Sequence, residues 1–571
     1  MGKRKQVYLT LGAIVRNQAH YIKEWLGFYY LMGVERFCIA LHHCTDETEQ
    51  RIKELPFQKQ IELFTIRGDS QHVQMGTYKK LHEMYGSSTK WMLFIDSDEF
   101  MFPLKVNSLS ELLQRYEKCS SLSVSQRMFG HSGLVLRPDG LSIESFIWAT
   151  HPENDGNDRA IKSIYQPKYL HAFYSPHFQI CHTLPQVLPN KKTFKLENHC
   201  LLETMPMQDI VRYNHYFTRS MEDWIARYNR GSCNDKRQSS ASYDASEFHR
   251  LGVGYMINED ILKYAIPLRK LLGLPYHDIQ PNNVKTVTWA TGIYGERIAK
   301  TAILSGKQKK IKVVPVISDP VFFRSSIYTK LLAFRRYIKD ERKKGTKYLL
   351  CVDGRDTLFL DDMKTICHKL QLLYDNKVIC CSQSFSFPYR EDTFNFLVGS
   401  KYSWYGFANP CAFFGATKDL DILFDRLVAV YYRLKNNKPE TQVEKHLLDI
   451  KIDPAYFDNV QFIWQVYQAN GQYWDLQPDT DVRLFSQVEN IAGLDLKNRK
   501  HQPRNNNSSY LGNSCIVHVP ADAERDDFNQ WAIAQGLLYD ERIGNGHVDV
   551  PVDKSVLRTT AGRKHKQKPK R

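Results

Sequence analysis

Trp91-Met92-Leu93-Phe94-Ile95-Asp96-Ser97-Asp98-Glu99 passes from an apolar run straight into three carboxylates within four positions. An apolar run of this length fits a strand buried on both faces, as in a parallel α/β sheet. Ligands of such sheets collect at the carboxyl ends of the strands, where Asp96, Asp98 and Glu99 would emerge. Crowded carboxylates repel one another unless cations offset their charge. A second string of the same design, Tyr348-Leu349-Leu350-Cys351-Val352-Asp353-Gly354-Arg355-Asp356, lies in the other half of the chain. Here the carboxylates at i and i+3 can converge on one cation, and Gly354 permits the tight bend. Clustered hard oxygen ligands suit Mg²⁺ or Mn²⁺, and such a cation would neutralise a nucleotide diphosphate. Taken alone, either string also reads as a helix cap or a turn leaving a strand.

Outward from the first string the pattern alternates strand and helix. Val7 to Val15 is a strand candidate, and Arg16-Asn17 follows it where a nucleotide cleft would begin. Residues 21–32 place Ile22, Trp25, Leu26 and Tyr29 on one helical face, and Gly33 stops the helix. Phe37 to Leu41 and Ile61 to Ile66 are further strands, and the βαβαβ order predicts a doubly wound parallel sheet. Turn residues at Leu274-Pro275 and Gln280-Pro281-Asn282-Asn283 mark a boundary. The same order restarts with strands at Val284 to Ala290 and Ile311 to Ile317. The expected architecture is α/β, with two nucleotide-binding, mostly parallel domains in tandem. They would occupy residues 1–275 and 284–540, joined by a linker at 276–283 and followed by a basic tail at 541–571.

Composition bounds the rest. The 571 residues hold two or three domains, and 42% hydrophobic with 25% charged residues is ordinary for globular protein. No apolar run is long enough to span a bilayer, and the basic start Met1-Gly2-Lys3-Arg4-Lys5 is followed by a strand-like stretch broken by Gly12 and Arg16 that does not read as a secretory signal, so a cytoplasmic protein is expected. The 12 cysteines include no Cys-x-x-Cys pair and sit mostly in apolar stretches, which points away from zinc and towards a reducing compartment. The net charge is +16, and Arg558, Arg563, Lys564, Lys566, Lys568, Lys570 and Arg571 crowd the C-terminus. Such a run reads first as a solvated tail, next as an attraction to an anionic membrane face or glycan. No nucleic-acid-binding motif accompanies the charge.

The first half carries a more specific signal. Ala13-Ile14-Val15-Arg16-Asn17, Glu24-Trp25-Leu26 with Gly33, and Ile95-Asp96-Ser97-Asp98-Glu99-Phe100 resemble the glycosyltransferase family 2-like and family 92 group, whose members have a GT-A fold. Lys162 with Pro167 resembles the group's central Lys … Pro stretch, and Asn214-His215-Tyr216, Ser220 and Arg230-Gly231 its later segment. The resemblance covers about residues 7–235. It implies that Asp96 and Asp98 bind metal and diphosphate, that Arg16 and Asn17 line the nucleotide pocket, that His215 contacts metal or phosphate, and that Glu99 is a candidate acceptor base. Glu24 reads as a solvated or capping acid, and Trp25 as core.

In the second half, Val287-Thr288-Trp289-Ala290-Thr291, the Asp353 string, Tyr405-Gly406-Phe407-Ala408-Asn409-Pro410, Asp458-Asn459-Val460-Gln461, Trp474-Asp475-Leu476 and Ile516-Val517-His518 follow one another in order. This series resembles the glycosyltransferase domain of the procollagen lysyl hydroxylase family. It implies cation ligands at Asp353, Asp356 and His518, donor contacts at Thr288 and Asn409, and catalytic positions at Asp458 and Gln461. Ala408-Asn409-Pro410 departs from the family's Asn-Ser-Gly, and no iron-binding His-x-Asp … His set is present.

Together the two resemblances imply a UDP-sugar-dependent transferase of galactose or glucose, acting with Mn²⁺ or Mg²⁺ on hydroxyls of a glycan or glycoconjugate. Surface polysaccharide synthesis would use two such activities in one chain. The alternative is one working half beside a degenerate, glycan-binding or scaffolding half.

Overall fold

The protein is described here from a computed structural model, which covers residues 6–68, 72–150, 156–230, 245–252, 256–291, 300–318, 327–354, 357–383, 407–470, 476–478, 483–487 and 514–518. Two large sheets use separate stretches of chain. The first is built from β1 (Val7–Val15), β2 (Arg36–His42), β3 (Ile61–Ile66), β4 (Thr89–Phe94), β5 (Glu99–Pro103), β6 (Ser121–Met128), β7 (Ile161–Tyr165) and β8 (Val211–His215). Its order is β3-β2-β1-β4-β7-β6-β8-β5, with a short strand at Gln186–Val187 added to β6. Strands β1 to β4 pair in parallel, as the βαβ alternation requires. Helices α1 (Ile22–Leu31) and α2 (Val73–Tyr85) make two of the crossovers.

The sheet departs from the wholly parallel expectation at one side. β7 runs antiparallel to both β4 and β6, and β5 antiparallel to β8. For β5 the cause is the acidic string itself. It leaves too short a connection after β4 for a crossover helix, so β5 cannot return beside β4 in parallel.

Burial follows the sequence pattern. Leu9, Leu11, Ala13, Trp91, Leu93 and Ile95 are fully buried, with Trp25, Leu26 and Tyr29 of α1 packed in the same core. The Trp25 indole N–H and the Tyr29 hydroxyl both donate to the Glu99 carbonyl, each at 3.0 Å, so the core holds the backbone of the acidic string directly. Next come α3 (Met221–Arg230) and α4 (Ala265–Leu272).

The second sheet comprises β9 (Val284–Thr291), β10 (Val313–Ser318), β11 (Tyr348–Asp353), β13 (Val378–Gln383), β14 (Phe407–Ala416) and β15 (Leu476–Pro478), in the order β10-β9-β11-β14-β13-β15. Here β9, β10 and β11 are parallel, and β14 is antiparallel to β11 and β13. A small sheet joins β12 (Thr357–Phe359), β17 (Ile516–His518) and β16 (Phe485–Gln487). The second half also carries helices α5 (Lys300–Gln308), α6 (Ala333–Lys343), α7 (Met363–Leu373), α8 (Thr417–Lys435) and α9 (Val460–Ala469). No described helix is long and apolar enough to cross a membrane. The basic tail lies outside the described residues.

Candidate active site

β4 ends at Phe94, and the three carboxylates follow at the carboxyl edge of the first sheet. They do not form one cluster. Asp96 faces Lys162 of β7, whose ammonium lies 2.6 Å from Asp96 Oδ2 and 3.2 Å from Glu99 Oε2. Lys162 is fully buried, whereas the Asp96 side chain keeps 32% of its surface. Gln74 of α2 donates to Asp96 Oδ1 at 2.8 Å, and Tyr78 approaches the same oxygen at 3.5 Å. Burial would raise the Asp96 carboxyl, and the Lys162 charge overcomes it, so Asp96 titrates below the usual range.

Glu99 lies behind Asp96, with 1% of its side chain exposed. Its Oε2 accepts the Asp96 backbone N–H at 3.0 Å. Burial pushes this carboxyl up to about 8 against the pull of Lys162, with the neighbouring Asp96 and Asp98 charges adding to the rise. The expected acceptor base is therefore placed as an inward partner of Lys162 and of the Asp96 backbone.

Asp98 turns away from Lys162, towards β8 and α3. Its Oδ2 accepts from Arg227 of α3 at 2.6 Å, and its Oδ1 lies 3.8 Å from His215 Nε2 at the end of β8. His215 Nδ1 lies 2.9 Å from Gln126 Oε1 of β6. A proton on Nδ1 donated to that amide oxygen leaves Nε2 with its lone pair facing Asp98. Burial lowers the His215 pKa and favours this neutral ring. For Asp98, burial is outweighed by Arg227 first, and the carboxyl lies well below its ordinary range. Arg219 completes the wall: it donates to the Ser97 carbonyl at 2.9 Å and to Gln18 at 3.1 Å, with its guanidinium 3.9 Å from the Tyr21 ring centroid.

Arg16 and Asn17 stand at the end of β1. Arg16 is half-buried, and Asn17 takes φ 51° while its amide bridges Thr45 through bonds of 2.8 and 3.1 Å. Glu24 is a buried cap: its carboxylate accepts from Ser142 N–H, Ser142 Oγ and Ile143 N–H.

The donor set bears on a cation. Among the described residues no group of three or more His, Cys, Asp or Glu side chains is placed to hold one. Asp98 Oδ1 and His215 Nε2 nevertheless form a two-atom seat, while Asp96 is engaged by Lys162 and Gln74. Mg²⁺ and Mn²⁺ are commonly held by one or two side chains together with substrate phosphates, so the pair fits such an ion.

At the second string, Asp353 closes β11, and Lys330 donates to its Oδ2 at 2.8 Å while lying 4.9 Å from the Trp289 ring centroid. Asp356 lies outside the described residues, as does the His518 side chain. The His518 backbone pairs with Thr357, the residue after Asp356. Thr288 is fully buried within β9, with no partner for its hydroxyl among the described residues, and Asn409 is buried in β14, accepting the Cys411 N–H at 2.8 Å. Asp458 meets Tyr431 and Lys435 at the end of α8, and Gln461 lies in the first turn of α9, where its N–H donates to Asn459. These two positions are thus described through the α8–α9 pair.

Sequence reasoning quoted Lys162 without assigning it a role, and it missed Gln74, Gln126, Arg219, Arg227 and Lys330. Arg219 and Arg227 carried a local signal, lying among the quoted Asn214-His215-Tyr216, Ser220 and Arg230-Gly231.

Comparison with solved structures gives low similarity. S. aureus TarS 1-349 is 15% identical with a TM-score of 0.19, over 28% of this chain and 48% of that one. The same protein in complex with UDP-GlcNAc is 15% identical with a TM-score of 0.21, over 28% and 46%. A glycosyltransferase involved in glycosylation of the major capsid of PBCV-1 is 13% identical with a TM-score of 0.23, over 43% of this chain and 98% of that one. The chain thus spans about half of TarS 1-349. Scores this low leave the fold to the topology described above. No curated protein matches the chain. The family model of glycosyltransferase family 92 matches residues 11–181, the stretch that carries Arg16, Asn17, Asp96, Asp98, Glu99 and Lys162.

Proposed function

We propose that the first sheet carries a nucleotide-sugar-dependent glycosyltransferase site that moves a hexose from a UDP-sugar to a hydroxyl of a glycan or glycoconjugate. The observation that carries this reading is the Asp98–His215 pair at the carboxyl edge of the sheet, within a chain whose residues 11–181 match family 92. In the transfer, the acceptor oxygen bonds to the anomeric carbon, the bond from that carbon to the diphosphate oxygen breaks, and the hydroxyl proton passes to a base. A bound Mn²⁺ or Mg²⁺ supplies Lewis-acid stabilisation of the leaving diphosphate. Asp98 and His215 would hold it. Lys162 and Gln74 fix Asp96 at the cleft, and Arg16 and Asn17 edge the nucleotide pocket. We assign Glu99 to positioning Asp96 rather than to proton abstraction, because it is buried and faces Lys162.

We read the second sheet as a second transferase site. It repeats the layout of a strand-end aspartate matched to a lysine, Asp353 with Lys330, and brings the His518 backbone beside Thr357. In this reading Asp353, Asp356 and His518 hold a cation, the buried Thr288 and Asn409 back the donor side from within their strands, and Asp458 and Gln461 act in catalysis. The C-terminal basic residues would draw the protein to an anionic membrane face.

Release of UDP from a panel of UDP-sugars, with Mn²⁺ and glycan acceptors, tests both sites through the Asp98→Ala and Asp356→Ala variants. Loss of different donor activities in the two variants supports two sites. Loss of everything in one and nothing in the other leaves a single catalytic half. Absence of UDP-sugar binding by the wild-type protein overturns the reading.

A further inference from the structure

Asp98 has two oxygens, and they face different chemistry. Oδ2 is held by Arg227, while Oδ1 looks across 3.8 Å to His215 Nε2, too far for a hydrogen bond. Arg227 is also settled on an aromatic face, 4.7 Å from the Phe217 ring centroid.

The helix that carries Arg227 is anchored at its opposite end. Ser220 caps α3 by accepting the Asp223 N–H at 3.2 Å, and its hydroxyl donates to Asp223 at 2.7 Å. The Asp223 carboxylate also accepts from Tyr21 at 2.5 Å and Arg137 at 2.7 Å. Arg227 follows Asp223 by four residues, one turn further along the same face. Its side chain therefore reaches the cleft from a fixed base.

A guanidinium pairs with a phosphate by the same planar donor fork that it offers a carboxylate. A divalent cation beside Asp98 would instead repel it. We propose that Arg227 is a diphosphate-binding residue of the donor site that rests on Asp98, where it competes with the divalent cation until the nucleotide diphosphate draws it away. This rests on the donor-site reading given above.

The proposal requires one substitution to move two affinities in opposite directions. In the full-length Arg227→Met protein, Mn²⁺ titrated without nucleotide and followed by electron paramagnetic resonance should bind at least about threefold tighter, because the competing cation is gone. UDP titrated calorimetrically at saturating Mn²⁺ should bind at least about tenfold weaker, because a charge-assisted phosphate contact is lost. Arg227→Lys, which keeps the charge but not the fork, should fall between. Weakening of both affinities together, or a change in neither, overturns the proposal and leaves Arg227 a structural partner of Asp98. Wild-type protein that binds neither Mn²⁺ nor UDP overturns the donor-site reading itself.

Discussion

Lys162 Nζ stands 2.6 Å from Asp96 Oδ2, from a fully buried position on a strand that runs antiparallel to the one leading into Asp96. The lysine also faces Glu99, so one ammonium serves two carboxylates. Its removal strands the Asp96 carboxylate, while Glu99, already pushed up to about 8 by burial, stays protonated near neutrality.

Lys162→Met should therefore cost about 3–5 kcal/mol, the range for breaking a buried ion pair from one side. Urea unfolding of the purified variant measures this. Lys162→Met combined with Asp96→Asn should recover part of the loss, since the second change removes the stranded charge. Equal loss in single and double variants would show that Lys162 acts through packing alone.

Gln126 sets the tautomer of His215 through the 2.9 Å contact to Nδ1. Gln126→Leu removes that acceptor and frees the ring to protonate at Nε2 instead. Mn²⁺ affinity should drop about tenfold, within the range for outer-shell partners of metal ligands. Binding titration on a variant with an unchanged circular dichroism spectrum checks this.

Glu259 joins the two halves of the chain. It precedes α4 and meets Arg483 at 2.7 Å and Lys369 of α7 at 3.2 Å, while Lys369 also donates to the Arg483 carbonyl at 2.9 Å. Burial would raise the Glu259 carboxyl, but Lys369 and Arg483 prevail and bring it down to about 2. A depressed carboxyl stabilises the folded state above its unfolded value of about 4.5 and ceases to do so as pH falls towards 2. The contribution is on the order of 3 kcal/mol. The stability gap between wild type and Glu259→Gln should thus be widest near neutrality and close between pH 4.5 and 2. A gap that stays constant across that window would mean the triad contributes no proton linkage.

Gly33 ends α1 with φ +84°, and a Cβ there would sit 2.5 Å from Ser110 Oγ, which donates to the Gly33 carbonyl. Gly33→Ala should cost about 1–2 kcal/mol from the backbone conformation alone. The urea midpoint reports it.

Much of the fold was legible because strands buried on both faces announce themselves as apolar runs. Ile61–Ile66 is a strand with the bounds read from sequence, and Val7–Val15 likewise. Gly33 stops α1 for the reason that its residue type suggested. The antiparallel β7 was not legible, since strand pairing across long loops leaves no local pattern.

The sequence alone determined where the carboxylates emerge: Asp96, Asp98 and Asp353 each follow an apolar strand, and burial of that strand forces them to its edge. Which cation faces which carboxylate was decided only by tertiary structure. Lys162, Arg227 and Lys330 lie 66, 129 and 23 residues from their partners. Local pattern reports burial and period, whereas an ion pair depends on strand order and on where a helix is anchored. Coulomb attraction acts through space, and the fold alone brings those charges within reach of each other.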